Sequence, residues 1–223
     1  MSTTGPRTSP VPKGRVEAFS DGVFAVAITL LVLDITLAHH AGRGRLWAEL
    51  GELKYHYAAY AISFLTIGIM WVSHHHLMTK LATVDHALLY RNLALLAVIC
   101  FIPFPTSVLS EYVHGQGGSN MRAAVSLYGI TLTALSVAFL ALWVHVYRSP
   151  EIRSAGVTQS DVRADTLRAG VSFVLDVVAT ALTPVAPWVS LGIFTALVIV
   201  YAVARPRARP PEDTTQTKIA ESP

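Results

Sequence analysis

Charged and polar side chains stand inside otherwise apolar stretches of this chain, and their chemistry needs an explanation. Arg15, Ser20 and Asp21 open the segment RVEAFSDGVFAVAITLLVLDITL, which ends at Leu37, and Asp34 lies near its far end. A bilayer core is about 30 Å thick, and roughly 20 apolar helical residues cross it. A carboxylate without a partner is disfavoured in hydrocarbon. We therefore expect protein partners to hold Asp21 in a structural contact rather than direct ion binding; Ser20 and the histidines of the next apolar segment are the candidates.

Three consecutive histidines, His74 to His76, form a second polar group at the end of another apolar run. Neighbouring side chains point about 100° apart on a helix, so three in a row cannot all face one metal ion. A protonation switch fits better, because histidine titrates near pH 6.5. The single cysteine, Cys100, excludes an internal disulfide and a cysteine-based metal site. No nucleophile elbow or phosphate-binding glycine motif is present, so we predict no enzyme activity, no metal and no cofactor.

The composition predicts an all-α integral membrane protein. Hydrophobic residues make up 52% of the chain and charged residues 14%, against about a quarter in soluble domains. The mean hydropathy is +0.49. The apolar residues fall in continuous blocks long enough to span a bilayer. The net charge of +3 does not indicate nucleic-acid binding, because the positive residues lie in loops, where they set topology.

Six transmembrane helices are predicted within residues 15–204, between disordered cytoplasmic segments at 1–14 and 205–223. Pro103 and Pro105 should kink or break the third helix. A short interfacial helix is expected near 46–55. The six predicted helices are Arg15–Leu37, Tyr57–Leu77, Leu88–Tyr112, Met121–Tyr147, Asp161–Thr183 and Trp188–Ala204.

The distribution of Lys and Arg predicts the orientation. With a cytoplasmic N-terminus, thirteen of these residues lie on the inner side and four on the outer side. Cytoplasmic loops carry such an excess. The protein is therefore predicted to be a multi-pass protein of the cell membrane with both termini in the cytoplasm.

Helical geometry divides the first helix into faces. An apolar stripe runs along one of them, and Asp21 lies about 140° from Val26, on the far side. Gly22, Ala25 and Thr29 form a row of small residues that suits close helix packing. Geometry alone favours lipid contact or bundle packing for the apolar stripe. Its members are Phe19, Val26, Leu30, Leu33 and Leu37.

Several motifs resemble those of one known family. The pattern R-x-x-x-F-S-D from Arg15 to Asp21, followed by GVFAVAITLLVLDI, resembles the signature of bacterial members of the transmembrane protein 175 family, relatives of the lysosomal potassium channel. WVSHHH (Trp71 to His76), RNL (Arg91 to Leu93) and PFPT (Pro103 to Thr106) are similar to further patterns of that family. The likeness covers the first half of the chain, and the remaining helices agree in number and hydropathy.

The resemblance implies a homotetramer in the lipid bilayer, with the first helices around a central pore that prefers potassium. K⁺ would then be the permeant ion. The family does not use the TVGYG selectivity filter of ordinary potassium channels, and the stretch Thr66 to Ile69 resembles that filter only weakly. Counting from the F-S-D motif places the pore constriction at Val26, Leu30 and Leu33. A polar network with a structural or gating role would fix the helix. Its residues would be Arg15, Phe19, Ser20, Asp21, Trp71, His74 and His75.

Two assignments stay open. Asp34 is either a carboxylate at the pore mouth that concentrates cations or a solvated helix-end residue. The alternative function is proton-conducting or proton-coupled transport through Asp21 and the histidines of the second helix. Asp176, inside the fifth predicted helix, is interpreted as hydrogen-bonded to a neighbouring helix.

Overall fold

The computed structural model describes residues 12–36, 46–113 and 118–203, which form a bundle of helices. An isolated antiparallel β-bridge pairs Leu81 with Arg153. The predicted terminal segments lie largely outside the described residues, as does Leu37. The helices are α1 (Lys13–Leu30), α2 (Leu46–Glu52), α3 (Lys54–Thr79), α4 (His86–Phe101), α5 (Pro103–Tyr112), α6 (Ser119–Arg148), α7 (Gln159–Leu182) and α8 (Pro187–Val203).

Local sequence explains three of the helix boundaries. The Asp85 carboxylate accepts a hydrogen bond of 2.7 Å from the Leu88 amide and caps α4. Thr158 and Asp161 form a capping box at the start of α7. Pro103 has no amide hydrogen, so the third predicted helix is broken at Ile102 into α4 and α5, as expected.

Three boundaries differ by more than two residues from the sequence-based expectation. The first helix does not continue as an α-helix to Leu37, because it tightens into a 3₁₀ turn at Leu31–Asp34. The short helix predicted near 46–55 ends at Glu52, and α3 begins at Lys54, three residues earlier than predicted.

The core is built around α6, which packs against α4, α5, α7 and α8. Its buried apolar residues extend along its whole length, as expected for a central helix. Gly129 allows the closest approach: a Cβ atom there would lie 2.8 Å from Thr180 Oγ1 and 2.9 Å from Phe194 Cζ. The residue must therefore be glycine for α7 and α8 to pack this close.

Helix ends converge at one end of the bundle. The Ala82 amide donates to the Ile152 carbonyl, and the Ser154 amide donates to the Lys80 carbonyl, both at 2.9 Å. Lys13 Nζ, at the start of α1, donates to the Leu81 carbonyl, also at 2.9 Å. We call this junction of residues 80–82 with 152–154 the clasp. The links predicted to be cytoplasmic therefore meet at a common end.

The chain is a multi-pass membrane protein. Four helical segments are long and apolar enough to cross a bilayer: Lys13–Asp34, Lys54–Thr79, His86–Tyr112 and Ser119–Arg148. Helix α8 is apolar but shorter. Helix α7 is long enough but carries charged residues over its first half, including Asp161, Asp165 and Arg168.

Candidate functional site: the first helix and its anchor

Helix α1 packs on the bundle through a row of residues spaced three or four apart. Val16, Phe24, Ala27 and Leu31 are buried, and Ser20 is fully buried among them. This spacing places one side chain per turn on the same face. This row was not predicted from the sequence as the face that contacts the core.

The apolar stripe lies on the uncovered side of α1 and of the 3₁₀ turn that follows it, which contains Leu33. Val26 is 56% exposed, Leu30 41% and Leu33 66%. The small residues Gly22 and Ala25 are exposed beside them. A single chain therefore leaves uncovered a helix surface that carries bulky apolar side chains next to small ones.

Asn92 on α4 is the centre of the buried polar contacts of α1. Its Nδ2 donates to Ser20 Oγ at 3.0 Å, and its Oδ1 accepts from His74 Nε2 at 2.8 Å. The Ser20 hydroxyl in turn donates to the Val16 carbonyl at 2.8 Å. All three side chains are buried, so α1, α3 and α4 are joined by a polar network whose groups have partners. The role of Asn92 was not predicted from the sequence, although a polar residue inside an apolar helix indicates a buried polar contact.

Asp21 contacts Trp71, a member of the network implied by the family resemblance, and not Ser20 or His74, which were among the candidates considered first. Trp71 Nε1 donates to Asp21 Oδ1 at 2.8 Å, and the Trp71 ring stacks on His75 with their centroids 6.1 Å apart. Asp21 lies on the exposed side of α1, one position from the buried Ser20. Ser20 and His74 are therefore not the partners of Asp21, because both point into the core toward Asn92.

The remaining predicted site residues lie on the surface or at the helix end. Arg15 is exposed on the first turn of α1, and Phe19 is 56% exposed, on the same side as the apolar stripe. One carboxylate oxygen of Asp34 is buried, and the Ser107 hydroxyl and His56 lie beside this residue. Asp34 is thus in contact with α3 and α5 and is not a fully solvated helix-end residue.

The stretch Thr66 to Ile69 lies inside the continuous helix α3. Its backbone carbonyls are engaged in helical hydrogen bonds and cannot form a filter loop of coordinating carbonyls. The three histidines diverge: His74 binds Asn92, His75 stacks on Trp71, and His76 contacts Asp165 at 3.3 Å. In the described ranges, no group of three or more His, Cys, Asp and Glu side chains is arranged to hold a metal ion.

Polar pairs also join α6 to α7. The Ser136 hydroxyl donates to the Asp176 carboxylate, as interpreted from the sequence. Ser126 and Thr183 hydroxyls lie 2.7 Å apart, and those of Thr133 and Thr180 lie 2.9 Å apart. Asp176 is thus part of an interhelical interface away from α1.

Comparisons with known proteins agree with this architecture. Residues 15–103 match the model of the family described as endosomal/lysosomal potassium channel TMEM175. A potassium channel of Streptomyces collinus is 47% identical over 155 residues, covering 70% of this chain and 74% of the relative. A potassium channel of Chamaesiphon minutus is 38% identical over 193 residues, covering 85% of this chain and 93% of the relative.

A solved structure gives the same result. The crystal structure of a lysosomal potassium-selective channel TMEM175 homologue from Chamaesiphon minutus superposes with a TM-score of 0.75 at 38% identity. The superposition covers 85% of this chain and 96% of that one. The region matched by the family model includes α1 from Arg15 onward, Trp71 and His74 on α3, and all of α4. The chain belongs to the TMEM175 family of ion channels.

Proposed function

We propose that the protein is a potassium-preferring cation channel in the cell membrane, formed by four copies around a central pore lined by α1. The exposed apolar stripe on α1 is the observation that carries this proposal. Bulky side chains at Val26, Leu30 and Leu33 project from a helix whose opposite face is fixed to the bundle. The alignments with two relatives named potassium channels cover 70% and 85% of this chain.

The constriction follows from the chemistry of the stripe. Four copies of an apolar ring narrow the pore enough to dewet it and block ions when closed. A small movement of α1 would widen and hydrate the ring. Potassium would be preferred because it sheds part of its hydration shell at a lower cost than sodium. Asp34, at the outer end of the helix, would raise the cation concentration near the mouth.

Each subunit would cross the membrane six times, with both termini in the cytoplasm. Helices α7 and α8 would supply the fifth and sixth spans, with the charged first half of α7 at the inner surface. This topology is supported by the meeting of the predicted inner links at the clasp. It is also supported by the excess of positive residues on that side.

A proton route through Asp21 and the α3 histidines receives less support from the geometry. Asp21 is bonded to Trp71, whereas His74 is buried and bonded to Asn92. These contacts point to an anchoring role, in which Ser20, Asp21, Trp71 and His74 hold α1 in place. Arg15, Phe19 and His75 would complete the surroundings of this anchor.

Flux through proteoliposomes tests the proposal. Purified protein should pass potassium faster than sodium, and Leu30→Ala should raise the flux severalfold, because a smaller ring is easier to hydrate. Leu167→Ala is the matched control, since Leu167 is an exposed leucine on α7, away from the stripe.

Two outcomes would contradict the channel assignment. One is the absence of potassium flux from protein that is folded and assembled. The other is indifference of the flux to alanine at each of Val26, Leu30 and Leu33, which would place the stripe in lipid.

A further inference from the structure

A groove of about 780 Å³ opens between α3, α6, α7 and α8, away from the stripe on α1. Its volume lies within the range of small-molecule sites in proteins, about 300–1,000 Å³. Most of its lining is apolar, with Phe64 and Leu65 from α3 and Phe139 from α6. Phe64 and Leu65 are 40% and 45% exposed, so the groove is accessible from the side of the bundle.

One end of the groove is cationic. Asp165 lies 2.8 Å from Lys80 Nζ and 3.1 Å from Arg168 Nη1, while His76 Nε2 is 3.3 Å away. His76, Asp165 and Arg168 line the groove, and Lys80 lies outside the lining, against Asp165. Two permanent cations therefore face one carboxylate, which leaves one excess positive charge in the cluster when His76 is neutral. The Arg168 side chain is 64% exposed, so its guanidinium is free to meet a further anion.

The cationic end lies at the predicted cytoplasmic surface. Lys80 ends α3 and belongs to the clasp, where the positively charged links meet. Tyr201, near the end of α8, bonds the Arg168 carbonyl at 3.2 Å, and aromatic residues of this kind are enriched at membrane interfaces. Anionic lipids are concentrated in the cytoplasmic leaflet, and basic pockets between transmembrane helices on that side bind their head groups.

We propose that this groove binds one anionic glycerophospholipid per subunit, with the phosphate beside Arg168 and an acyl chain along Phe64, Leu65 and Phe139. This assignment rests on the distribution of charge in the groove. An apolar groove with a positive end at the level of the lipid head groups matches an amphiphile with a negatively charged head group. A second copy of the chain is the alternative occupant of the groove, but packing of a subunit there would not require the positive charge at its cytoplasmic end.

The site also reaches the anchor of α1, and this consequence rests on the proposed channel function. Trp71 lines the groove, and its indole Nε1 is bonded to Asp21. A lipid chain against Trp71 would constrain the position of the indole and, through it, the position of α1. The channel would then respond to the anionic lipid content of the membrane.

Binding is measured on the intact protein by native mass spectrometry, titrating phosphatidylglycerol or phosphatidylcholine. Phosphatidylglycerol should saturate at one molecule per subunit and bind more tightly than phosphatidylcholine. Arg168→Gln should weaken phosphatidylglycerol binding about fivefold, the effect of one cationic residue near an anionic lipid surface, and Arg168→Lys should retain most of the affinity. Arg163→Gln is the matched control, because Arg163 is exposed on the same helix outside the groove lining.

A second pair of variants tests the apolar part. Gly68 lines the groove, and a Cβ atom there would meet no atom within 4 Å, so Gly68→Leu should fill the trough without disturbing the fold. It should weaken binding of both lipids. Gly170→Leu introduces the same side chain into open space on α7, outside the groove lining, and should leave binding unchanged.

The proposal is overturned if the two lipids bind equally well, or if Arg168→Gln behaves like Arg163→Gln. It is also overturned if Gly68→Leu abolishes assembly while Gly170→Leu does not, since a neighbouring subunit would then occupy the groove. These readouts do not depend on conduction, so a failure of lipid binding is distinct from a failure of the channel assignment. For the coupling, flux in phosphatidylcholine vesicles should change when phosphatidylglycerol is added. Asp21→Ala removes the acceptor of the Trp71 indole outside the groove lining, so it should remove this response while retaining lipid binding.

Discussion

The α6–α7 interface and the contacts of α1 with α3 and α4 are stabilised in different ways. Polar pairs occur along most of the length of α6 and α7, from Ser126 with Thr183 to the Trp143 carbonyl with Thr166. Among the described residues, the side-chain hydrogen bonds that join α1 to α3 and α4 come from two adjacent residues, Ser20 and Asp21. Pairs spread along two helices resist both sliding and tilting, whereas bonds at a single level fix a position and resist tilting less. We infer that α6 and α7 form the scaffold and that α1 is the element suited to move.

The largest loss of stability is expected at Gly129, where a Cβ atom would collide with atoms of α7 and α8. Gly129→Leu would place a side chain where a Cβ atom alone already lies 2.8 Å from Thr180 Oγ1. We expect a loss of about 3 kcal/mol, the upper part of the range for overpacked cores, seen as a lower unfolding temperature or a loss of soluble assembly in detergent. Gly192→Leu on α8 is the control, because its Cβ would meet no atom within 4 Å. Equal stability of the two variants would show that α6 and α7 can separate, contrary to their assignment as a scaffold.

An intermediate effect is expected from the centre of the α1 network. Asn92→Ala leaves Ser20 and His74 buried without their shared partner. Unpaired buried groups of this kind cost about 1–3 kcal/mol, and we expect the unfolding temperature to fall accordingly. Asn120→Ala, at an exposed position at the start of α6, is the control. If the Asn92 variant is as stable as this control, the network does not hold α1.

The smallest effect on stability, about 1 kcal/mol, is expected for Trp71→Phe, which removes the bond to Asp21 and keeps an aromatic ring. If α1 moves during gating, this variant should alter potassium flux more than it alters the unfolding temperature. The measurement is flux against thermal stability for Trp71→Phe and for Trp188→Phe, an exposed tryptophan on α8. Parallel changes in both properties would indicate that the contact is only structural.

The sequence predicted properties that depend on local chemistry. The break at Pro103 follows from the missing amide hydrogen, and the lengths of the apolar blocks follow from the thickness of the bilayer. The angular separation of Asp21 from Val26 follows from the helical repeat alone. These features require no knowledge of which helices are neighbours.

The partners of polar residues could not be predicted in the same way. Asn92 lies 72 residues from Ser20, and Trp71 lies 50 residues from Asp21. Their pairing depends on how α1, α3 and α4 are rotated against one another, and packing against residues such as Phe24 and Leu31 sets that rotation. The groove beside α8 likewise arises from four helices and leaves no local pattern in the sequence.

The clasp gives the subunit a fixed base. Backbone bonds join the end of α3 to the link before α7, and Lys13 attaches the start of α1 to the same point. Because α1 is held near the clasp, a tilt of this helix displaces each of its residues by an amount that grows with the distance from the clasp. Leu33 lies 20 residues beyond Lys13, about 30 Å along the axis, and a tilt of about 4° would move it by roughly 2 Å. In the proposed tetramer, the outer part of the pore would therefore open widest while the cytoplasmic ends of α1 stayed together.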